Sequence, residues 1–399
     1  MAKSNVKKIF PYITKPILII SLVSLFTDMA SEMLYPVMPV FLTSIGFSAV
    51  LIGILEGFAE MIAGLSKGYF GQLSDVRQKR LPFVQAGYLM SAISKPMLAI
   101  FATPLWIFFT RTIDRIGKGL RTAPRDALLS AQSLPANKAK VFGFHRSMDT
   151  FGAVLGPLIA LIFLAYNPGA YKTLFVIAFI PGIAAVIFTL FLKEKKASPL
   201  DKKINFFSFL KYIKTSDPQY RKLLIGLLIF ALVNSSDVLL LLKMKESGMQ
   251  DSTIIMVYIF YNLVYALLSF PAGIIADKLG IKKTFIFGLF LFVVVYTGFS
   301  LSNQYWVYWS LFFLYGVYAA CTEGIAKAWI TNITAGHESG TAIGTYASLS
   351  SIGAFFASAT AGLLWTLFNA EIAFAFTAIV VFITAIYMIG VPYKLKETV

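Results

Sequence analysis

Cysteine and histidine are nearly absent from this sequence of 399 residues. Cys321 is the only cysteine, which excludes an internal disulfide and a thiolate metal cage. The two histidines, His145 and His337, are too few for a metal cluster. An enzyme embedded in a membrane would need a nucleophile with its base, or a metal, at spanning depth. We therefore expect no enzymatic activity, no bound metal and no cofactor.

Acidic residues are scarce as well, with 19 Asp and Glu against 35 Lys and Arg and a formal net charge of +16. An excess of this size is compatible with nucleic-acid binding, so the positions of the basic residues have to decide. The basic residues cluster before the first span and after several even-numbered spans. The loops after the odd-numbered spans carry few of them, chiefly Lys172, Lys243 and Lys245. By the positive-inside rule, this alternation predicts cytoplasmic termini and no nucleic-acid partner. The clustered bases are Lys3, Lys7, Lys8, Lys15, Arg77, Lys79, Arg80, Lys138, Lys140, Lys278, Lys282, Lys283, Lys394 and Lys396.

Long polar stretches are lacking, since 58% of the residues are hydrophobic. Apolar runs of about 20 residues, the length that crosses a bilayer, recur along the whole chain. They predict an all-α protein of the cytoplasmic membrane, surrounded by lipid and without a soluble domain. The first run is too long for a signal peptide and is therefore interpreted as a permanent helix. The predicted spans are residues 17–42, 50–73, 82–103, 104–130, 140–166, 171–192, 222–243, 252–276, 284–302, 305–333, 340–367 and 371–393.

The composition changes between the sixth and seventh spans. Residues 193–203 are rich in charge, and residues 204–213 alternate aromatic, aliphatic and basic side chains. This pattern is typical of a cytoplasmic linker with an amphipathic helix that lies on the membrane. The chain is therefore predicted to consist of an N-terminal six-helix bundle (1–192), this linker (193–221) and a C-terminal six-helix bundle (222–399).

The two predicted bundles repeat each other. A Gly-x-x-x-Asp pattern followed by basic residues ends both the second and the eighth span. Glycines in the fifth and eleventh spans also align at nearly the same offset. Parallel repeats of this kind are typical of a transporter fold. The matching residues are Gly71, Asp75 and Arg77 with Gly273, Asp277 and Lys278, and Gly143 and Gly152 with Gly344 and Gly353.

The Gly-x-x-x-Asp repeat resembles motif A of the major facilitator superfamily. The eighth-span copy matches at every position, whereas the first copy has Val76 in place of a basic residue and Gln78 in place of glycine. The resemblance covers essentially the whole chain and implies twelve helices in two pseudo-symmetric bundles. It also implies that Asp75 and Asp277 anchor a gate at the cytoplasmic side through helix-end and ion-pair contacts.

Two further motifs are similar to those of the proton-coupled antiporter branch of this superfamily. Arg111 matches the buried arginine of motif B, with Asp114 where glutamine is usual. The fifth span follows the glycine spacing of motif C, although the trailing glycine pair is missing. This second resemblance favours export. The motif C residues are Gly143, Gly152, Gly156 and Pro157.

The fourth span carries seven ionisable residues, which would be costly in lipid and must face protein or water. At 100° per residue they fall within an arc of roughly 140°. We expect Lys118 and Arg121 to hold an anionic substrate, with Arg115 beside them, while Arg111 and Asp114 tune proton traffic. A purely structural charge network is the alternative. For Arg125 and Asp126, the resemblance implies ion pairs that lock the gate.

Four carboxylates on the first two spans are candidates for the proton site. A carboxylate binds a proton more tightly in a dry environment and less tightly beside an arginine, which can couple protonation to conformation. The alternative, which does not exclude the first, is that these acids neutralise the bases of the fourth span. The candidates are Asp28, Glu32, Glu56 and Glu60. His145, Arg146 and Asp149 cluster within one turn of the fifth span, where His145 could titrate near neutrality, although a lone histidine there is more often a hydrogen-bonded packing residue.

The second half carries few intramembrane charges and is expected to form the apolar wall of the site. Asp237 lies on the seventh span, and Glu323 and Lys327 are spaced to pair on the tenth. One face of the eighth span is suited to contact with an amphiphilic cargo, although such a face is also common in helix packing. Its residues are Tyr258, Tyr261, Asn262 and Tyr265.

These observations predict a monomeric secondary active transporter that works by alternating access and is coupled to protons. Its small-molecule substrate is expected to be anionic, zwitterionic or amphiphilic. The alternative is an importer of an anionic metabolite or a siderophore-like metal chelate with the same fold. A membrane sensor would need a signalling domain, for which the linker and tails are too short.

Overall fold

The computed structural model describes residues 12–35, 37–194, 198–201 and 204–395, without the side chains of 39–40, 49–54, 56–57 and 251–252. The described chain is folded into helices that form twelve spans. In chain order they are Lys15–Glu32 with Met38–Ser44 (span 1), Ala49–Val76 (span 2), Leu81–Ile100 (span 3), Pro104–Ala131 (span 4), Lys138–Tyr166 (span 5), Tyr171–Thr189 (span 6), Pro218–Ala231 with Val238–Glu246 (span 7), Asp251–Leu279 (span 8), Ile281–Leu301 (span 9), Tyr305–Ile333 (span 10), Ser339–Leu367 (span 11) and Ala370–Gly390 (span 12).

Spans 1 to 6, the first half, and spans 7 to 12, the second half, pack in the same way. In the first half, span 1 contacts spans 5 and 6, and span 3 contacts spans 4 and 6. The equivalent helices of the second half make the equivalent contacts, span 7 with spans 11 and 12, and span 9 with spans 10 and 12. Span 5 packs against span 8, and span 2 against span 11, so these four helices form most of the interface between the halves, with smaller contributions from spans 4 and 10.

Spans 1 and 7, which are equivalent in the repeat, are each divided into two helical segments rather than being continuous as predicted. In span 7 the interruption between the two segments includes the residues from Asn234 to Asp237. Short polar side chains of this kind bond to nearby backbone groups and compete with helical hydrogen bonds. Here the Ser236 Oγ accepts a hydrogen bond from the Val238 backbone N at 3.4 Å. The division places Asp237 at the start of the second segment, facing the space between the halves.

The linker forms two short turns, Ser208–Lys211 and Tyr212–Thr215, instead of the longer amphipathic helix that the sequence predicts. Phe209 is 1% exposed, and its ring lies against the backbone of Gly68 in span 2. The Tyr212 hydroxyl donates to Glu338 Oε2 at 3.3 Å, and burial together with this carboxylate raises the pKa of Tyr212. The tyrosine therefore remains a protonated donor that ties the linker to the start of span 11.

The start of the described chain, the linker and the turns after spans 2, 4 and 10 lie at one end of the molecule, which we call the basic end. The Arg80 side chain donates to the Gly336 carbonyl oxygen at 2.8 Å. The Lys140 ammonium lies 3.8 Å from the centre of the Tyr12 ring. Lys138 Nζ donates to the Thr331 carbonyl oxygen at 2.6 Å. The Arg80 and Lys138 contacts join the two halves at the basic end, and the Lys140 contact holds the start of the described chain against span 5.

Candidate functional site

The basic end is closed by two carboxylates, each of which binds the N-terminus of a helix in the other half. Asp75 of span 2 accepts hydrogen bonds from the backbone N and Oγ1 of Thr341, at 2.6 and 2.9 Å, in the first turn of span 11. Asp277 of span 8 accepts from the backbone N of Ala139 and of Lys140, at 3.1 and 2.9 Å, in the first turn of span 5. A helix N-terminus carries partial positive charge and unpaired N–H groups, so a carboxylate is stabilising there.

The spacing of the first motif copy did not indicate which of its basic residues pairs with Asp75. Arg80 pairs with Asp75, with 2.9 Å between Nη2 and Oδ1. Arg77 lies instead over the Phe83 ring, 5.9 Å from its centre. In the second half, Asp277 of the motif has a partner on span 5, since Lys140 Nζ lies 3.9 Å from Asp277 Oδ2. Lys278, which belongs to the motif itself, is exposed.

Glycines allow the helices of the two halves to approach closely at the basic end. A Cβ added at Gly71 would lie 2.3 Å from the Gly340 carbonyl oxygen, and one at Gly273 would lie 2.4 Å from that of Ala139. At Gly143 the added atom would meet the Ser269 carbonyl oxygen at 2.4 Å. Each of these contacts crosses between the halves, so a side chain at any of the three positions would force them apart.

The other glycines of the fifth span pack within the first half. A Cβ at Gly152 would lie 2.3 Å from the Leu25 carbonyl oxygen, and one at Gly156 would lie 2.5 Å from that of Met29. Both contacts join span 5 to span 1. Pro157 follows within the same helix and faces a groove toward the opposite end of the molecule. Of the motif C residues, Gly143 therefore contacts the second half, and Gly152 and Gly156 hold span 5 against span 1.

A cavity of about 350 Å³ lies between the halves beyond the closed basic end. Its lining extends from Lys327 and Arg125 to Leu34 and Tyr35, between the two helical segments of span 1. Among the side chains that the structure describes, nine basic and five acidic ones line it, and all but two of these fourteen belong to the first half. They are Lys67, Lys95, Arg111, Arg115, Lys118, Arg121, Arg125, Arg146 and Lys327, with Asp28, Glu32, Asp114, Asp149 and Asp237.

Asp114 of span 4 has its principal partner on span 3. Lys95 Nζ donates to Asp114 Oδ1 at 2.8 Å, and the Ser94 hydroxyl lies 3.4 Å from the same oxygen. Arg111 Nη1 is 3.9 Å from Asp114 Oδ2. The Lys95 side chain is 4% exposed and that of Asp114 is 11% exposed. This buried pair joins spans 3 and 4 and also forms part of the cavity wall.

Glu60 of span 2 lies beside two bases of span 4. Its carboxylate oxygens are 3.3 Å from Arg115 Nη1 and 3.9 Å from Lys118 Nζ. The Lys118 side chain is 41% exposed, whereas that of Arg115 is 12% exposed. Lys118 therefore presents its ammonium group to the cavity while Arg115 is held against Glu60.

Arg121 is placed one turn further along span 4 and has partners on span 3. Its guanidinium donates to the Ser91 hydroxyl and lies 4.8 Å from the centre of the Tyr88 ring. The residue as a whole is 6% exposed. Arg121 thus lines the cavity, but its head group is already occupied by packing and hydrogen-bond contacts.

Arg125 and Asp126 lie at the cavity floor. They pair with each other, with 2.9 Å between Nη2 and Oδ1. Asp126 also binds Lys327 of span 10, with 2.8 Å between Oδ2 and Nζ, although its own side chain is 0% exposed. The sequence spacing suggested that Lys327 pairs with Glu323; the structure instead directs both across the interface, since Glu323 Oε2 lies 3.9 Å from Arg146 Nη2. Ion pairs therefore join the halves beneath the cavity.

Two carboxyl groups of the first half meet on the cavity wall. Asp28 of span 1 lies in hydrogen-bonding contact with Asp149 of span 5. Asp149 also accepts from the Ser24 hydroxyl and from Arg146 Nη1, the latter at 2.7 Å. Arg146 Nε in turn donates to the Tyr265 hydroxyl of span 8. A continuous chain of contacts therefore leads from this carboxyl pair to the second half.

The other proton-site candidates are distributed around this pair. Glu32, one turn after Asp28, lines the cavity together with Lys118 and Arg115. Glu60 lies beside the bases of span 4, as described above. Glu56 lies outside the residues whose side chains are described.

The second half provides a wall of phenols rather than the apolar wall that we expected. All four residues of the eighth-span face line the cavity: Tyr258, Tyr261, Asn262 and Tyr265. Tyr261 packs against Tyr315 of span 10, with ring centres 5.0 Å apart. The Tyr315 hydroxyl donates to Asp237 Oδ1 at 2.6 Å. These rings offer hydroxyl groups and aromatic faces to a bound molecule.

Sequence reasoning did not select Lys95, Arg146 or Asp149 as site residues. A signal for Lys95 was present, because an ionisable residue inside an apolar span is a functional candidate by default. Arg146 and Asp149 were considered only as neighbours of His145, whereas the structure includes both in the cavity lining. Their depth depends on how span 5 sits against spans 1 and 8, which periodicity does not reveal.

Comparisons with known proteins agree with this architecture. The family model described as Major Facilitator Superfamily matches residues 20–244 and 223–399. An MFS-type transporter of Methanocaldococcus jannaschii is 33% identical over 384 residues, which cover 94% of this chain and 95% of the relative. The human organic anion transporter MFSD10 superimposes with a TM-score of 0.81 at 17% identity, over 94% of this chain and 98% of that one. The transporter FucP in its outward conformation gives a TM-score of 0.77 at 11% identity, over 96% and 99%. The predicted all-α, twelve-helix fold is confirmed.

Proposed function

Because this chain belongs to the major facilitator superfamily of membrane transporters, we propose that it moves a small organic anion across the cytoplasmic membrane in exchange for protons. Membership makes it a multi-pass membrane protein and not an enzyme. The observation that carries the proposal is the excess of basic side chains around a cavity enclosed between the two halves. An anion compensates such an excess without leaving buried charge unpaired. The organic anion transporter named above has the same fold, which is compatible with this cargo.

The proposed cycle is alternating access between the halves 1–192 and 222–399, connected by residues 193–221. With the basic residues on the cytoplasmic side, as the positive-inside rule favours, the described state is closed to the cytoplasm and faces outward. The carboxylate caps at Asp75 and Asp277 stabilise this state. Arg125, Asp126 and Lys327 extend the closure up to the cavity floor. Opening toward the cytoplasm then requires these contacts between the halves to break together.

The proposed proton site is the pair of Asp28 and Asp149. Two carboxyl groups in hydrogen-bonding contact cannot both ionise without strong repulsion, so the pair holds one proton between them. Arg146 binds Asp149 and also contacts Tyr265 and Glu323 of the second half. Separation of the halves removes the contacts of Arg146 with the second half, which leaves it free to bind Asp149 more strongly. We propose that this exchange releases the proton and so couples it to the conformational change.

Lys118 is the proposed contact of the anion, because its ammonium is exposed to the cavity while the neighbouring cations are more deeply buried. The phenols of span 8 and Asn262 complete the site from the second half. Export is the proposed direction, on the basis of the glycine spacing in span 5. Uptake of the anion together with protons is the alternative. The protein is proposed to act as a monomer, because the cavity is complete within one chain.

Reconstitution of the full chain into liposomes with an imposed pH gradient tests this proposal. Organic anions that raise the melting temperature of the purified protein are the candidates, since a ligand of the native state stabilises it. We expect anion flux that depends on the gradient and is lost in Lys118→Ala but retained in Lys172→Ala, a control at an exposed lysine. Anion flux in the same direction as the proton flux, rather than in the opposite direction, would establish uptake of the anion together with protons. Absence of gradient-dependent flux for every stabilising anion would overturn the proposal.

A further inference from the structure

A second cavity opens sideways between spans 5 and 8. It has a volume of about 440 Å³, and its walls are mostly aliphatic. We call it the lateral groove and define it by the residues that line it from spans 5, 7 and 8, namely Pro157, Leu161, Val238, Leu241, Ile254, Ile255 and Ile259. Leu161 and Ile255 are 47% and 46% exposed, so the groove opens at the lipid-facing surface of the bundle.

The groove exists because spans 5 and 8 are in contact at the basic end and separate toward the other end. At Gly143 the two backbones are so close that an added Cβ would lie 2.4 Å from the Ser269 carbonyl oxygen. Pro157 and Leu161 lie fourteen and eighteen residues further along the same helix, a rise of roughly 20 to 27 Å. The groove therefore lies along the same pair of helices as the close contact at Gly143, toward their opposite end.

The lateral groove adjoins the charged cavity. Four residues line both spaces: Glu32, Tyr35, Asp237 and Tyr258. On the cavity side of this boundary, Lys118 and Arg115 line the same cavity as Glu32. A single molecule that passes between these boundary residues would extend from the cations of span 4 into an aliphatic channel that faces lipid.

We propose that the substrate is a single-chain amphiphile whose anionic head binds in the charged cavity and whose apolar chain occupies the lateral groove. This inference rests on the proposed anion transport and specifies its substrate class. The basic side chains of the cavity attract the anionic head. The two carboxylates at the boundary, Glu32 and Asp237, repel it, so the head binds beyond them on the cavity side. The aliphatic walls of the groove stabilise the chain by removing it from water.

A homologous series of n-alkyl phosphates with two to ten carbons tests the inference. Binding is measured by calorimetry on the full chain in lipid nanodiscs, with partition into empty nanodiscs subtracted. In the wild type, the affinity should rise with chain length, up to roughly fourfold for each methylene buried. Ile255→Trp fills the groove and should abolish this increment while leaving the affinity for the two-carbon member unchanged. Leu267→Trp, at a residue of the same span that is 61% exposed and outside the groove, should retain it.

A second pair of variants makes the test independent of the folding of one mutant. Leu161→Trp should act as Ile255→Trp does, and Ile162→Trp, 53% exposed and outside the groove lining, is its control. The same chain-length dependence in wild type and in both groove variants would overturn the inference and indicate that the groove holds only bilayer lipid. Binding of the short phosphates without any gain from longer chains would also overturn it. Failure of every member to bind wild type would count against anion transport itself.

Discussion

Asp75 in the last turn of span 2 caps the first turn of span 11 through Thr341, at 2.6 Å from the backbone N and 2.9 Å from Oγ1. The relationship recurs in the repeat, where Asp277 caps span 5. Each half thus supplies one carboxylate and receives one, and both pairs lie at the basic end. A capping carboxylate stabilises a helix terminus only while the two are in contact, so its contribution is specific to the closed state.

Asp75→Asn is expected to shift the protein toward a state open at the basic end. Loss of a charged cap costs about 1 kcal/mol, which is roughly a fivefold change in the equilibrium. Spin labels at Lys79→Cys and His337→Cys in a Cys321→Ser background report the distance between the halves, and its long-distance fraction should grow. Asp217→Asn is the control, because Asp217 caps span 7 within one half by accepting from the Gln219 backbone N at 2.8 Å. An equal shift in both variants would contradict a role for the Asp75 cap.

Gly344→Ala should also prevent full closure, and for a steric reason. The added Cβ would lie 2.5 Å from the Lys67 carbonyl oxygen on the facing helix, so spans 2 and 11 would have to separate. Gly362→Ala on the same span is the matched control, because a Cβ there has no neighbouring atom within 4 Å among the described residues. The same spin-label distances provide the measurement. If Gly344→Ala leaves the distance distribution of wild type unchanged, the close packing at the basic end is not what limits closure.

Lys95→Ala should lower the stability of the first half. Removing one partner of a buried pair leaves Asp114 with reduced compensation, which typically costs about 3 kcal/mol or more. The double variant Lys95→Ala with Asp114→Asn should recover part of this loss, because the uncompensated carboxylate is gone. Melting temperatures of the purified variants measure the effect. A double variant whose loss equals the sum of the two single losses would show that the residues act independently.

Lys118→Ala and Arg121→Ala are expected to differ, although the sequence places both on the polar stripe of span 4. Lys118→Ala should reduce anion affinity about tenfold or more, since a hydrogen bond to a charged group contributes about 1.5–3 kcal/mol, and should leave the melting temperature unchanged. Arg121→Ala should lower the melting temperature as well, because it removes contacts with Ser91 and Tyr88. Ligand titration and thermal unfolding on the same samples separate the two effects. Normal anion binding by Lys118→Ala would remove it from the site.

Asp28→Asn should uncouple transport from protons. An amide cannot share a proton with Asp149, so anion accumulation driven by a pH gradient is expected to be lost, while exchange of labelled for unlabelled anion continues. Both rates are measured in the same liposomes. Glu371→Gln, outside the cavity in a pair with Lys243, should keep both activities. Full gradient dependence in Asp28→Asn would remove this residue as the coupling site and direct attention to Glu32 or Glu60.

Hydropathy and internal repetition were sufficient to predict the twelve spans, because the length and polarity of a span are properties of consecutive residues. The same holds for the charged face of span 4, where Lys118 and Arg121 share an arc by helical period alone. The divisions of spans 1 and 7 were missed, since both segments remain apolar on either side of the break. The short turns around Phe209 were also missed, because burial against Gly68 replaces the membrane contact that its amphipathic pattern suggested.

The order of the residues was sufficient to predict the helical spans, the relation between the halves and the region where charge is concentrated. The partners of the charged residues became evident only from the packing of the helices: Arg80 rather than Arg77 for Asp75, Lys95 for Asp114, and Lys327 for Asp126. Helical periodicity establishes which side chains share a face, but a charge binds whatever the neighbouring helix brings within about 4 Å, and that depends on tilt and register. The space between spans 5 and 8 beyond Gly143 also depends on how the two helices pack. The order of the residues therefore could not predict the lateral groove.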